Sequence, residues 1–147
     1  MIAELHFDEL ELGYEIPPQS KAITQEKITI NAEASLDYNP IHIDPEYCRE
    51  INLLGRGTTI AHGMMTLSFM GKIVTDWVYP AGGYIKSLEG KFTAPVRPGD
   101  EITVYAVLTE KHYMPGKEDN FVVLDIWCEN QDKTRVSVGN ASAVIPH

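Results

Sequence analysis

The spacing of hydrophobic residues changes near the middle of the chain. Between Thr24 and Trp77 the chain predicts helices, whereas after Gly82-Gly83 it becomes rich in β-branched and aromatic residues. Four segments of this second part favour strands and are separated by Pro, Gly and Asp. They are Tyr84–Phe92, Glu101–His112, Asn120–Gln131 and Thr134–Ile145. The pattern predicts helices followed by at least four antiparallel strands, with a tight hairpin at Asp132-Lys133.

One predicted helix, from Gly63 to Trp77, is apolar around most of its circumference for two turns. Such a helix belongs inside a fold. A sheet that covers it forms a single α+β domain over residues 1–147. The remaining sheet face and the sheet edges then need partners, so we expect a homodimer or a larger homo-oligomer.

Three shorter elements are predicted before this helix. Thr24 is a good N-cap for a helix that runs to about Leu36, and Ile28, Ala32 and Ser35 are spaced to face inward. Asp44-Pro45 is typical of the start of a second helix, which extends to about Asn52. Lys21–Ile23 is predicted as a short strand.

The N-terminal segment is less regular. Leu10-Glu11-Leu12 alternates as a strand does, and Gly13 with Pro17-Pro18 indicates a loop.

Charge and composition exclude several classes of function. The chain is 44% hydrophobic and 22% charged with a net charge of −9, which is typical of a globular domain and unlike a nucleic-acid-binding protein. The first fifteen residues contain five acids and no Lys or Arg, unlike a signal peptide, and we expect no membrane span. Cys48 and Cys128 have no metal-binding spacing. We interpret them as reduced thiols in a cytoplasmic protein, with a disulfide as the alternative.

The segment from Asp37 to His42 carries the candidate chemistry. Asn39-Pro40 lies between the carboxylate and the imidazole, and Pro40 disfavours helical angles at the residue before it. The chain therefore turns after the first helix and can bring His42 back to Asp37 as an acid–base pair. The alternative is an ordinary turn with His42 at the surface.

Three blocks of sequence resemble the MaoC-like family of (R)-specific enoyl-CoA hydratases. They are Leu36–His42, Ile60–Met64 and Phe92–Asp100, in the family's order. The resemblance implies the hot-dog fold, in which an antiparallel sheet wraps around a long central helix, and a dimer. It also implies a hydratase of trans-2-enoyl-CoA, or a dehydratase of 3-hydroxyacyl thioesters, that uses neither a metal nor an organic cofactor.

The same resemblance assigns roles to individual residues. Asp37 and His42 act together on one water, and which of them is the acid is left open. The Gly63 amide, at the positive end of the apolar helix, stabilises the thioester oxyanion, although Gly63 also suits a crowded helix start. Asn39 is expected to orient the turn or Asp37 and not to react itself. His62 lines the pocket or is structural, and Met64 belongs to the core or touches the acyl chain.

Two positions depart from the family pattern. Leu36 stands where the family has Gly, which permits backbone angles that Leu resists, and Cys48 replaces a small Ala or Ser. We expect Leu36 to narrow the pocket and Cys48 to fill a buried slot.

The carrier end of the substrate, CoA or an acyl carrier protein, is poorly marked in the sequence. The candidates for phosphate contacts are scattered cations: Lys72, Lys86, Lys91 and Arg97.

Two alternatives to a hydratase remain, a hot-dog acyl-CoA thioesterase and a non-catalytic subunit that binds acyl thioesters.

Overall fold

The computed structural model describes residues 5–116 and 119–146, so residues 1–4, 117–118 and 147 of the predicted domain lie outside it. The helices are α1 (Gln25–Ser35), α2 (Pro40–Ile43), α3 (Pro45–Glu50) and α4 (Gly63–Val78). The strands are β1 (Glu15–Ala22), β2 (Tyr84–Phe92), β3 (Glu101–His112), β4 (Phe121–Glu129) and β5 (Arg135–Val144). Short 3-10 turns lie at Phe7–Glu9, Leu53–Gly55 and Tyr79–Ala81.

The strands form one antiparallel sheet in the order β1-β3-β4-β5-β2. All four predicted strands are confirmed to within two residues at each end, and β4 and β5 are joined by the predicted hairpin. Lys133 lies in this hairpin with a φ of 62°. The strand signals were reliable here because the turn residues interrupt long β-favouring segments cleanly.

The predicted apolar helix is α4, and it packs against the sheet and contacts all five strands. Met70, Ile73 and Val74 of α4 are fully buried, and inward-facing residues alternate along β3 and β4. Met70 packs against Gly139 of β5, where an added Cβ would lie 2.9 Å from the Met70 methyl carbon and 2.0 Å from the Glu89 carbonyl oxygen. The core is therefore the interface between one helix and the concave face of one sheet.

The N-terminal predictions were wrong in two places. Leu10–Leu12 is not a strand, because the chain forms a 3-10 turn at Phe7–Glu9 and then a turn. Pro17-Pro18 does not lie in a loop, because β1 runs through both prolines. Proline is tolerated there because β1 is at the sheet edge and its pairing with β3 shifts register between Ile16 and Gln19.

The two edges of the sheet differ. On β1 the two prolines lack N–H groups, and Gln19 Nε2 donates a hydrogen bond to Asp76 Oδ2 on α4 at 3.0 Å. Asp76 also pairs with Lys72, and these bonds, led by the one from Lys72, lower the pKa of the Asp76 carboxyl. β2 at the opposite edge contains no proline and exposes Tyr84 and Phe92. The β2 edge is therefore the one that is open to a further strand.

The helices that precede α4 begin at the residues expected from sequence. The Thr24 side chain accepts a hydrogen bond from Lys27 N, and Asp44 Oδ1 accepts from Glu46 N and Tyr47 N. Ile28 and Ala32 are buried as predicted, whereas Ser35 is exposed because its helix ends there. Within the described ranges, no helix has the length and apolar character that a membrane crossing requires.

Candidate active site

The chain leaves α1 through a strained residue. Leu36 is the C-cap of α1 and adopts left-handed angles (φ 60°, ψ 24°), a region that favours glycine. The position therefore does require the backbone angles for which the family uses Gly. The expectation that Leu36 narrows the pocket is wrong, because its side chain is 75% exposed and takes no part in the cavity wall.

The turn after Leu36 is fixed by short-range hydrogen bonds. Asn39 N donates to Asp37 Oδ1 at 3.3 Å, and Asn39 Oδ1 accepts from Ile41 N at 3.2 Å as the N-cap of α2. Pro40 is the first residue of α2. Asn39 thus orients both Asp37 and the helical turn that carries His42, which is the arrangement expected of a positioning residue.

His42 is buried, with 8% of its surface exposed, and so it is not a surface residue of an ordinary turn. Its Nδ1 lies 2.8 Å from the Ile60 carbonyl oxygen. A carbonyl only accepts, so Nδ1 carries the proton and Nε2 of the neutral ring has a free lone pair. Nε2 lies 3.9 Å from Asp37 Oδ2. Gln25 Nε2 supports the same turn by donating to the His42 carbonyl oxygen at 2.8 Å.

His62 is nearly fully buried and forms the third side of the site. Its Nε2 donates to the main-chain carbonyl oxygen of Asp37 at 3.0 Å and lies 3.9 Å from Asp37 Oδ2. The ring stacks on His42 with a centroid distance of 3.8 Å. His62 therefore holds the backbone of Asp37 and the plane of the His42 ring, a role that its position at a helix start did not reveal.

The gap between Asp37 and His42 has the size of one water-mediated contact. At 3.9 Å the two atoms are too far apart for a direct hydrogen bond, but one water can lie about 2.8 Å from both. Asp37 is half exposed, so this gap is open to solvent. The pair can thus share one water between a carboxylate and an oriented imidazole.

A cavity of about 370 Å³ is lined by His42 of this pair, whereas Asp37 is not part of its wall. His42, His62, Gly63 and Thr66 lie on its polar side, and the rest of its wall is mostly apolar and includes Phe92. An added Cβ on Gly63 would lie 2.5 Å from the Phe92 ring, so the close approach of this ring requires glycine. Met64 is 62% exposed and is not part of the wall, which contradicts a core position for its side chain.

The two cysteines are free and buried. Burial raises the pKa of the Cys48 thiol, and the nearby Asp44 carboxylate raises it further. Cys48 Sγ lies 3.5 Å from the Ile41 carbonyl oxygen and 3.8 Å from that of Pro40. The protonated thiol fills the predicted buried slot under α2 and is a weak donor to its carbonyls, not a nucleophile.

Asp37, His42 and His62 each bring one ligand atom within 4.8 Å of the others. Their hydrogen bonds do not suit a metal centre, because His62 Nε2 donates to a carbonyl and its Nδ1 is buried without a hydrogen-bond partner among the described residues. Only His42 Nε2 and Asp37 Oδ2 then face the shared space, fewer ligands than a zinc site has. The arrangement of these three side chains therefore suits proton transfer better than metal binding.

The fold and the site define a class of protein: a helix wrapped by an antiparallel sheet, with a carboxylate–imidazole pair beside an apolar cavity. Residues 12–130 match the family model of the MaoC-like domain, and the chain belongs to this family. The predicted hot-dog fold is confirmed by the solved R-hydratase PhaJ1 from Pseudomonas aeruginosa. The two structures superpose with a TM-score of 0.82 at 26% sequence identity, and the match covers 96% of this chain and 85% of the PhaJ1 chain.

Named relatives bear out the expected reaction class. The chain is 28% identical to the (R)-specific enoyl-CoA hydratase of Rhodospirillum rubrum over 96% of its own length and 92% of the relative. It is 30% identical to the mitochondrial 3-hydroxyacyl-[acyl-carrier-protein] dehydratase of Arabidopsis thaliana, over 88% of this chain and 74% of that protein. The expectation that the chain is a hydro-lyase, which adds water to an enoyl thioester or removes it from a 3-hydroxyacyl thioester, is confirmed at this level.

The left-handed angles of Leu36 predict that Leu36→Gly stabilises the protein. A non-glycine residue in this region costs about 1–2 kcal/mol, part of which is offset by the greater unfolded-state entropy of glycine. Because the Leu36 side chain is mostly exposed, little apolar burial is lost. We expect the free energy of unfolding to rise by about 0.5–1 kcal/mol, measured by urea denaturation.

Leu36→Ala is the matched control, since it removes the side chain and keeps the strained angles. It should not raise the free energy of unfolding. A Leu36→Gly variant less stable than the Ala variant would show that the Leu36 side chain packs against the fold.

Proposed function

We propose that this protein hydrates trans-2-enoyl-CoA with (R) specificity, or catalyses the reverse dehydration of a 3-hydroxyacyl thioester. The observation that carries the proposal is the 3.9 Å gap between His42 Nε2 and Asp37 Oδ2 beside an apolar cavity. Hydration adds the oxygen of water to Cβ and a proton to Cα. One group must therefore accept a proton while a second proton is delivered, and a pair that shares one water does both.

The two side chains are prepared for these roles by different contacts. The Ile60 carbonyl fixes the His42 proton on Nδ1, which leaves Nε2 to exchange a proton with the water. The His62 bond to the Asp37 carbonyl and the Asn39 N–H bond to Asp37 Oδ1 fix the carboxylate relative to that nitrogen. The pair returns to its starting protonation after each turnover, because one proton enters and one leaves.

Gly63 is proposed to supply the oxyanion donor. It is the first residue of α4, so its N–H lacks an acceptor within the helix and points out of the positive helix end. Its neighbour His62 makes no side-chain capping bond to the helix, which leaves this end of α4 free to face the cavity. A thioester oxygen at Gly63 N would place Cβ of the enoyl group toward His42 and Asp37.

The substrate is an enoyl thioester of CoA or of an acyl carrier protein, and the assembly is a homodimer. The open β2 edge with its exposed Tyr84 supports an interface at this edge. Two free, buried cysteines support the reducing setting of the cytoplasm.

Asp37→Asn and His42→Ala are each expected to reduce kcat by about 10²–10⁴-fold, because each removes a group that exchanges a proton with the water. The assay is the loss of the conjugated enoyl absorbance of crotonyl-CoA, with the chirality of the product determined in parallel. His112→Ala and Asp125→Asn are the controls, since they make the same chemical changes away from the site. Both controls should keep wild-type kcat.

Near wild-type turnover by either site variant would refute the acid–base pair. Release of free thiol from crotonyl-CoA by the wild-type protein, with no hydration, would identify a thioesterase instead.

The Gly63 amide can be removed without breaking α4, because proline is well tolerated at the first helical position. His62, at φ −60° and ψ 136°, already has the angles that a following proline requires. The Phe92 ring must first be removed to make room. In a Phe92→Ala background, Gly63→Pro should therefore lower kcat about 10²–10³-fold relative to Gly63→Ala.

The two double variants occupy similar space and differ in the N–H group. Equal kcat values in the two proteins, with circular dichroism showing both folded, would exclude the Gly63 amide as the oxyanion donor.

The dimer is predicted to be stable at micromolar concentration, as measured by light scattering. Tyr84→Glu should weaken it, because the change places a charge at the open edge of β2. Tyr113→Glu alters another exposed aromatic residue away from β2 and should leave the dimer intact. A wild-type protein that is monomeric at this concentration would contradict the prediction.

A further inference from the structure

A second cavity, of about 400 Å³, is lined by Thr58 and Thr59, which directly precede the residues of the active-site wall in the chain. It is lined by the first residue of α1, by both ends of α3 and by the loop before α4, including Gln25, Arg49, Arg56 and Thr59. Ile60, the next residue, belongs to the first cavity and accepts the hydrogen bond from His42 Nδ1. The two cavities are therefore separated by only this short segment.

Polar contacts connect the second cavity to the catalytic turn. Thr59 Oγ1 donates to Gln25 Oε1, and Gln25 Nε2 donates to the His42 carbonyl oxygen at 2.8 Å. Thr59 is 2% exposed and Gln25 is half-buried, so these bonds are partly shielded from solvent and fix the common wall. A ligand that fills the second cavity thus lies next to the backbone that positions His42.

Three of the four arginines of the chain are at this cavity. Arg49 and Arg56 line it, and Arg97 Nε donates to Thr58 Oγ1 of its wall at 3.1 Å. Gly57, at φ 62°, brings the Arg56 loop against α3, where an added Cβ would lie 3.2 Å from Arg49 Cα. The fold therefore brings the backbones that carry Arg49 and Arg56 together and leaves both side chains exposed, in a chain whose net charge is −9.

None of the three guanidinium groups pairs with a carboxylate in the described part of the chain. Asp100, the nearest acid to Arg97 in sequence, accepts from Arg97 N and from Gln131 Nε2 instead. Unpaired guanidinium groups around a concave site are the arrangement that recognises phosphate, because each offers several N–H donors in a planar fork.

Two of the other cations named from the sequence have contacts elsewhere, and Lys91 is exposed on β2 and lines neither cavity. Lys72 pairs with Asp76, and Lys86 Nζ lies 4.4 Å from the centre of the Phe121 ring. Of the four candidates, Arg97 is the one that the fold brings to a cavity beside the active site, together with two arginines that the sequence did not single out.

We infer that Arg49, Arg56 and Arg97 form the subsite that binds the phosphate groups of the thioester carrier. The inference rests on the proposed function, and it assigns the carrier end of the same substrate to the second cavity. CoA carries a diphosphate and a 3′-phosphate, whereas an acyl carrier protein presents one phosphodiester. The same three guanidinium groups can bind the phosphates of either carrier. Recognition is local, because the net charge of the protein repels anions at long range.

The test compares two crotonyl thioesters that differ in phosphate. Arg49→Gln, Arg56→Gln and Arg97→Gln should each raise KM for crotonyl-CoA on the order of tenfold at unchanged kcat. They should leave kcat/KM for crotonyl-N-acetylcysteamine, which has no phosphate, at the wild-type value. Arg56→Lys should restore part of the affinity. Lys72→Gln is the control, since it makes the same change in charge on α4 and should alter neither substrate.

Arginine variants with a wild-type KM for crotonyl-CoA would overturn the inference, and so would an equal loss on both thioesters. Crotonyl-acyl carrier protein distinguishes the sources of phosphate. A larger effect on crotonyl-CoA assigns the subsite to the nucleotide phosphates, and an equal effect on both carriers assigns it to the phosphate of the pantetheine arm.

Calorimetric titration with CoA itself separates the inference from the proposed function. If the wild-type protein turns over neither thioester, the hydratase proposal fails. Tighter binding of CoA by the wild type than by the three arginine variants still supports the phosphate subsite, and no binding of CoA by the wild type overturns it.

Discussion

The site depends on two hydrogen bonds from imidazole rings to main-chain carbonyls. His42 donates to the Ile60 carbonyl and His62 donates to the Asp37 carbonyl, so each histidine ties the turn that carries the proposed acid–base pair to the segment that leads into α4. These bonds fix which nitrogen of His42 is free and where the Asp37 carboxylate stands. Because the two rings also stack at 3.8 Å, a shift of either element would displace both. The separation of 3.9 Å between acid and base is therefore a property of tertiary structure, and the stiff turn at Asn39-Pro40 contributes only one side of it.

α4 gives this arrangement its rigid frame. Its buried face is held by the whole sheet, while its first residues lie at the cavity, so the helix that forms the core also places His62 and Gly63. Interiors are closely packed, and a helix end anchored in this way moves little. The exposed parts of the site behave differently, since Asp37 is half exposed and follows a residue in a strained conformation. A rigid imidazole and a more accessible carboxylate suit a reaction in which water must enter and a substrate must leave.

Much of this could be predicted from the sequence because the signals are local. Cap residues, β-favouring segments and turn residues gave α1, α3, α4 and the last four strands within about two residues of their ends. Only the end of β1 was predicted, as the short strand Lys21–Ile23, because prolines break a strand unless the strand is at an edge, and edge position depends on the whole sheet. A strained backbone at Leu36 could be predicted, because the family has Gly at this position. The direction of the Leu36 side chain could not be predicted, and so the expectation of a narrowed pocket was wrong. The contacts of His62 with Asp37 span 25 residues and have no local signal.

Contacts between residues far apart in sequence have no local signal, which explains why the sequence showed scattered cations where the structure brings three arginines to one cavity. Arg49, Arg56 and Arg97 belong to a helix, a loop and the segment before β3, and only the close approach permitted at Gly57 joins the first two. Arg49 and Arg56 are exposed, so solvent screens their mutual repulsion and their guanidinium groups stay accessible to a ligand. The turn that carries His42 shares a part-buried wall with this cluster through Gln25 and Thr59. The proposed carrier contacts lie away from the reacting carbon atoms and are the same in the substrate and in the transition state, so they contribute to affinity and leave the geometry at His42 unchanged.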